Sequence, residues 1–180
     1  MTKADIIAWF DEQAANWDDK AVYNPQKIHL FLDSANVRKG KSILEVGCGT
    51  GNLIPFILER NVADITAVDF SPEMIVIAQE KFRDDGRINI MCADIMETHF
   101  SKKFDSILLH NTLPFIADIP ALLQHLKRQL VPFGTLCFAQ DDFQHSCISH
   151  IDLAALMTQD FKIQAAICDD ERMYVTGIKK

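Results

Sequence analysis

The chain has 180 residues, 48% of them hydrophobic and 24% charged, with five cysteines and a formal net charge of −7. This size and balance fit one globular domain spanning 1–180, and the acidic excess provides no footprint of clustered Lys and Arg for DNA or RNA. No apolar run approaches the roughly 18 residues of a membrane span, and the start Met1-Thr2-Lys3-Ala4-Asp5 lacks a secretory leader, so no membrane partner and a cytoplasmic location are expected.

In chain order, Thr2 with Asp5 three positions on resembles a capping box, and Ile6, Ile7, Trp9 and Phe10 give an apolar stripe, which predicts a helix over 2–15. A second helix is expected from Asn24-Pro25, carrying Ile28, Phe31 and Leu32, to about Gly40. Strand and helix then alternate. Strands are predicted at 42–46, 65–68, 88–92, 104–109 and 135–139, and helices at 52–60, 71–82 and 120–130, the last ended by Pro132-Phe133-Gly134. A helix at 151–158 precedes two strands, 161–168 and 172–178, whose short link permits only antiparallel pairing. Cys48, Cys92, Cys137 and Cys168 fall inside apolar runs and read as small buried hydrophobes, not as a disulfide framework.

The chemistry is written at the strand ends. Ile43-Leu44-Glu45-Val46 runs into Gly47-Cys48-Gly49-Thr50-Gly51, where missing Cβ atoms let backbone lie directly against a ligand. Eighteen positions after that segment the next strand delivers Asp69, placed as the acid that accepts hydrogen bonds from nucleoside ribose hydroxyls in doubly wound sheets. The spacing G-x-G-x-G is neither the dinucleotide fingerprint nor a P-loop. Glu45 beside it would repel a pyrophosphate and favour a cation or an α-amino group. An amino-acid-bearing, sulfonium-charged nucleoside suits that loop.

Glu45-Val46-Gly47-Cys48-Gly49-Thr50-Gly51 resembles motif I of the class I S-adenosylmethionine-dependent methyltransferases. The resemblance covers about residues 40–180, with 1–40 as a helical cap and 41–180 as the core. It implies an α/β fold: a doubly wound, seven-stranded, mostly parallel sheet in the order 3-2-1-4-5-7-6, the last strand antiparallel. It also implies S-adenosylmethionine as cofactor, S-adenosylhomocysteine as product and a small-molecule methyl acceptor. Gly47, Gly49 and Gly51 would then lie against the methionine portion, with the small Cys48 side chain pointing away. Asp69 would hold the ribose, with Phe70 against the adenine face, and Asp94 and Ile95 would clamp the adenine edge. His110-Asn111-Thr112-Leu113 would leave the fourth strand where the methyl group faces its acceptor.

The segment from Phe10 to Asp18 is similar to the opening of many small-molecule methyltransferases, in which Trp17 would either close over the cofactor or pack the cap onto the sheet; Tyr23 is a further candidate for that role. If a base is needed, His110 is the best placed by motif, followed by His145, His150 and Asp141. The run His145 to Asp152 matches no standard zinc spacing, and no metal is expected. Asn111-Thr112-Leu113-Pro114-Phe115 departs from the Asn-Pro-Pro-aromatic pattern of base and amide N-methyltransferases. Rival readings are a non-catalytic cofactor-binding subunit, a protein methyltransferase and an NAD-dependent oxidoreductase. The oligomeric state stays open between monomer and homodimer.

Overall fold

In the computed structural model, which describes residues 2–21, 23–141, 148–168 and 172–180, the alternating segments form one sheet with helices on both faces. The chain opens with α1 (Lys3–Gln13), where the Thr2 hydroxyl accepts from Asp5 N and the Asp5 carboxylate accepts from Thr2 N at 2.7 Å, closing the predicted capping box. A 3₁₀ turn (Ala14–Asn16) leads into the short α2 (Trp17–Lys20). Next comes α3 (Pro25–Ser34), begun by Asn24 and Pro25 as expected. It ends at Ser34, well short of Gly40, because Asn36 takes a left-handed φ of 57° and Val37 N donates back to Leu32 O at 2.9 Å.

The remaining elements are β1 (Ser42–Val46), α4 (Ile54–Leu58), β2 (Asp64–Asp69), α5 (Pro72–Phe82), β3 (Ile88–Cys92), β4 (Phe104–His110), α6 (Ile119–Gln129), β5 (Leu130–Asp141), α7 (His150–Met157), β6 (Phe161–Cys168) and β7 (Arg172–Lys179). They pair in the order β3-β2-β1-β4-β5-β7-β6, with β7 alone antiparallel to its neighbours. This is the topology that the methyltransferase resemblance implied.

Three local expectations fail for physical reasons. The helix after the glycine loop keeps only Ile54–Leu58 of the predicted 52–60, because turns continue to Leu53 and Asn61 ends it with a φ of 54°. Pro132-Phe133-Gly134 does not separate a helix from a strand but lies inside β5, where Phe133 adopts a φ of 61° and the register with β4 slips between Phe104 and Ser106. Cys92, read as buried, is exposed, because β3 is an edge strand with one side open.

Strand alternation sorts the core into two halves. Leu44, Val46, Leu109 and Phe138 pack under α6 and α7, through Leu122, Leu126 and Leu153. Ile43, Leu108, Cys137 and Ala139 pack under α3, α4 and α5, through Phe31, Ile57 and Ile75. Each fully buried aliphatic or Phe side chain there contributes about 1.5–3 kcal/mol. Among the described residues no helix is long and apolar enough to cross a membrane.

Candidate functional site

Parallel strands end together, so the loops leaving β1, β2, β3 and β4 meet at one edge of the sheet. After Val46 the chain turns sharply, and Gly47 N and Cys48 N both donate to Val68 O, at 2.8 and 3.1 Å, which ties the loop to β2. Gly47 and Gly49 hold left-handed φ angles of 74° and 54°. A Cβ on Gly47 would stand 2.7 Å from Thr112 Cγ2, and Thr112 cannot easily yield because its hydroxyl donates to Val46 O at 3.2 Å or His110 O at 3.1 Å. Gly51 meets the Phe82 ring in the same way. The Cys48 side chain turns into the core, as its size allows, and burial pushes its thiol well above the usual range.

Asp69 closes β2 with both carboxylate oxygens engaged: Oδ2 accepts from Gly49 N and Oδ1 from Ser71 N, each at 2.9 Å. One acid therefore sets the shape of the glycine loop and the start of α5. Burial pushes its pKa up, and the backbone donors of Ser71 and Gly49 offset only part of that. At the end of β3, Asp94 Oδ1 accepts from Met96 N at 2.8 Å, and Oδ2 pairs with Lys3 Nζ at 2.5 Å. Burial raises the Asp94 pKa, but the Lys3 hydrogen bond and the Met96 N–H outweigh it and hold the carboxyl below the usual carboxylate range.

Gly47, Asp69, Phe70, Asp94 and Ile95 line one cavity of about 280 Å³ at these strand ends. Lys3 and Ile6 of α1 and Thr112 and Phe115 of the loop after β4 line it as well. Lys3, Ile6 and Phe115 were not anticipated as part of a site, whereas Thr112 belongs to the segment expected to face the methyl acceptor. The other candidates, Trp17, Glu45, Cys48, Gly49, Gly51 and His110, surround the loop without lining that cavity.

Glu45 lies one residue behind Val46, is only 3% exposed, and has no hydrogen-bond partner for Oε2 among the described residues. Burial, with the charge of Asp69 adding to it, pushes its pKa up to about 8. A buried, unpaired carboxyl beside a backbone cradle is a place for a cation. Trp17 joins the cap to the glycine loop. Its ring packs edge-on against Trp9 and Phe10, and its Nε1 would stand 3.4 Å from a Cβ on Gly49. Phe10 continues that cluster to Phe70 and Phe115, so the cap is an aromatic roof over the strand ends. The cap is also pinned by charge. Asp18 pairs with Lys81 at 2.5 Å and accepts from the Thr50 hydroxyl at 2.6 Å, while Lys81 donates to Thr50 O at 3.0 Å.

His110 ends β4 beside the loop, buried against Tyr23 and Phe31. Of the other base candidates, Asp141 stands next to it, His150 merely begins α7 behind the Ser149 cap, and His145 lies outside the described residues, as does Cys147 of the metal reading. Among the described residues no three His, Cys, Asp or Glu side chains converge as a metal site.

Gly49→Val tests the cradle. The β-branched side chain would be forced into a left-handed conformation costing about 1–2 kcal/mol, so the melting temperature is expected to fall by about 2–8 °C. Binding of S-adenosylhomocysteine should vanish in titration calorimetry, and retained binding would place the ligand elsewhere.

A profile of a methyltransferase domain matches residues 43–134. The malonyl-[acyl-carrier protein] O-methyltransferase of Priestia megaterium is 32% identical over 150 residues, covering 78% of this chain and 54% of that protein. The protein of the same name from Acetivibrio thermocellus is 30% identical over 145 residues, covering 79% and 50%. The chain thus spans about half the length of these relatives. In three dimensions it is similar to the N-methyltransferase NodS of Bradyrhizobium japonicum in complex with S-adenosyl-L-homocysteine, at a TM-score of 0.74 and 16% identity over 86% of each chain. A TehB-like S-adenosylmethionine-dependent methyltransferase of Corynebacterium glutamicum gives 0.74 and 18% over 96% and 99%. With its sheet order, its glycine cradle and the matched domain, the chain belongs to the class I S-adenosylmethionine-dependent methyltransferases.

Proposed function

We propose that this chain transfers the methyl group of S-adenosylmethionine to a small acceptor, free or borne on a carrier, at the ends of β4 and β5. The observation that carries the reading is the convergence of Gly47, Asp69 and Asp94 on one cavity, with Glu45, whose Oε2 has no hydrogen-bond partner among the described residues, one residue before the lining Val46. These groups suit the cofactor's parts: Asp69 a ribose, Asp94 and Ile95 an adenine edge, Glu45 an α-amino cation, and the glycine cradle a methionine backbone. The sulfonium supplies an activated methyl group and a neutral leaving group when bound. The protein then has to align a nucleophile with the S–CH3 bond and exclude water, and the aromatic roof formed by Phe10, Trp17, Phe70 and Phe115 serves the second purpose.

The β4 and β5 ends suit the acceptor because α1 occupies the β3 end, where Lys3 pairs with Asp94. The carrier-borne alternative draws on relatives whose names specify a malonyl-acyl-carrier substrate. Parallel calorimetric titrations with S-adenosylmethionine, S-adenosylhomocysteine and NAD test the reading. Micromolar binding of both sulfur nucleosides and none of NAD is expected. Binding of NAD alone, or of none of the three, would refute it. Binding without transfer to any member of an acceptor library would favour the non-catalytic reading.

A further inference from the structure

His110 lies one pair beyond Leu109, the partner of Val46, and its side chain has the parity of Leu108, on the α3 and α4 side of the sheet. Glu45, the register partner of Leu108, has the same parity. So does Asp141, two residues beyond Ala139, the partner of His110. Three ionisable side chains therefore stand on one face of β1, β4 and β5 at their carboxyl ends.

His110 Nε2 is 3.3 Å from Asp141 Oδ2. Asn111 braces that carboxylate from a left-handed φ of 56°: its Nδ2 donates to Asp141 Oδ2 at 3.3 Å, and its Oδ1 accepts from Asp141 N at 2.7 Å. The imidazole is 5% exposed, yet its Nδ1 has no hydrogen-bond partner among the described residues. Tyr23 covers it edge-on at 5.0 Å and Phe31 packs at 5.6 Å. Among the described residues, other charged groups near the pair include Lys27 of α3, felt by Asp141, and Arg172 of β7, in register with Asp141. A buried imidazole with one nitrogen aligned by a carboxylate and the other left without a partner is built to take a proton.

We propose that His110 is the catalytic base and Asp141 its positioning residue, so that the acceptor is a nucleophile that arrives with a proton, a hydroxyl, phenol or amine, and not an ionised carboxylate. This inference rests on the methyl-transfer reading above. As the acceptor's lone pair forms the new bond to the methyl carbon, the S–CH3 bond breaks and its electron pair stays on sulfur. The acceptor's proton passes to His110 Nδ1, and Asp141 stabilises the resulting imidazolium through Nε2–H. A carboxylate has no proton to surrender at neutral pH, and the Asp141 charge would oppose its approach. Burial acts to raise the Asp141 pKa, but the hydrogen bonds from His110 and Asn111 outweigh it and hold the carboxyl below the usual carboxylate range, so that it stands ionised beside the imidazole.

Two measurements test this. In nitrogen-15 NMR of histidine-labelled protein at pH 8, His110 is expected as the Nε2–H tautomer, retained in Asp141→Glu and lost in Asp141→Asn. An Nδ1–H tautomer in the unsubstituted protein would overturn the proposal. In methyl-transfer assays, a panel of phenols, alcohols and primary amines is run beside malonyl-N-acetylcysteamine. Transfer to a proton-bearing member is expected, with kcat falling by about 100-fold or more in His110→Ala, and partly recovered in Asp141→Glu relative to Asp141→Asn. Transfer to the malonyl thioester alone, or to no proton-bearing member, would overturn the proposal. Titration of the same proteins with S-adenosylhomocysteine separates the two failures: no binding by the unsubstituted protein sinks the methyl-transfer reading, whereas binding with the wrong tautomer or acceptor sinks only the base.

Discussion

Replacing Asp69 with alanine is expected to weaken S-adenosylhomocysteine binding by at least about 100-fold while leaving the chain folded. The Asp69 carboxylate accepts from Gly49 N and Ser71 N at 2.9 Å each, so its loss leaves two backbone donors unanswered at the strand end as well as removing the proposed ribose acceptor. Hydrogen bonds to a charged group are worth about 1.5–3 kcal/mol each, and losing those from the two ribose hydroxyls of the proposed ligand removes at least about 3 kcal/mol, or about 100-fold in affinity. Stability should change less than affinity, because two effects oppose one another. The backbone bonds are lost, but so is a buried carboxyl whose pKa is raised by desolvation. Asp69→Asn should fare no better, since one amide oxygen cannot replace two carboxylate oxygens facing two N–H groups. The check is calorimetric titration beside circular dichroism. Affinity unchanged in a folded Asp69→Ala protein would mean that β2 delivers its acid to the loop alone and that the ribose lies elsewhere.

The legible parts of this molecule were those encoded over short stretches. The run from Ile43 to Gly51 states a buried strand and its turn, Ser71-Pro72-Glu73 states a helix start, and the alternation of such units states a doubly wound sheet. Contacts made between segments far apart in the chain carry no local signature. Lys3 reaches Asp94 across 91 positions, Thr50 reaches Asp18 across 32, and the Thr112 methyl that enforces Gly47 comes from the loop after β4. His110 was legible as a strand-end residue, but its partner was not, because Asp141 meets it only once β5 takes its register beside β4. Misread punctuation had a different cause. Pro132-Phe133-Gly134 has turn composition, and the turn it makes is a bulge that the strand absorbs, a choice set by neighbouring β4 and not by the tripeptide. Asn36, by contrast, was a readable helix stop, since Asn tolerates the left-handed conformation that ends α3.

Glu45→Gln is expected to move stability and affinity in opposite directions. With its carboxyl pushed up to about 8 from 4.5 by burial and then by Asp69, the folded chain holds a proton that the unfolded chain has already released between those two pH values. The folded state thus binds more protons, and stability contributed below pH 4.5 is lost as pH rises through about 8. The accumulated cost in the ligand-free protein is on the order of 5 kcal/mol. A neutral amide does not pay it, so Glu45→Gln should melt at least about 5 °C higher than the unsubstituted protein at pH 8 and show a flatter profile from pH 5 to 8. Binding should suffer instead, because an amide offers no charge to an α-amino cation: S-adenosylhomocysteine affinity is expected to fall by about tenfold or more. Proton release discriminates further. At pH 7 a cation placed against Glu45 draws it into its ionised form, so binding by the unsubstituted protein should expel protons and its calorimetric heat should vary with the ionisation enthalpy of the buffer. The Glu45→Gln protein should lack that dependence. Equal affinity, equal melting and equal buffer dependence in the two proteins would remove Glu45 from the site, and the cation would then need another partner along the glycine loop.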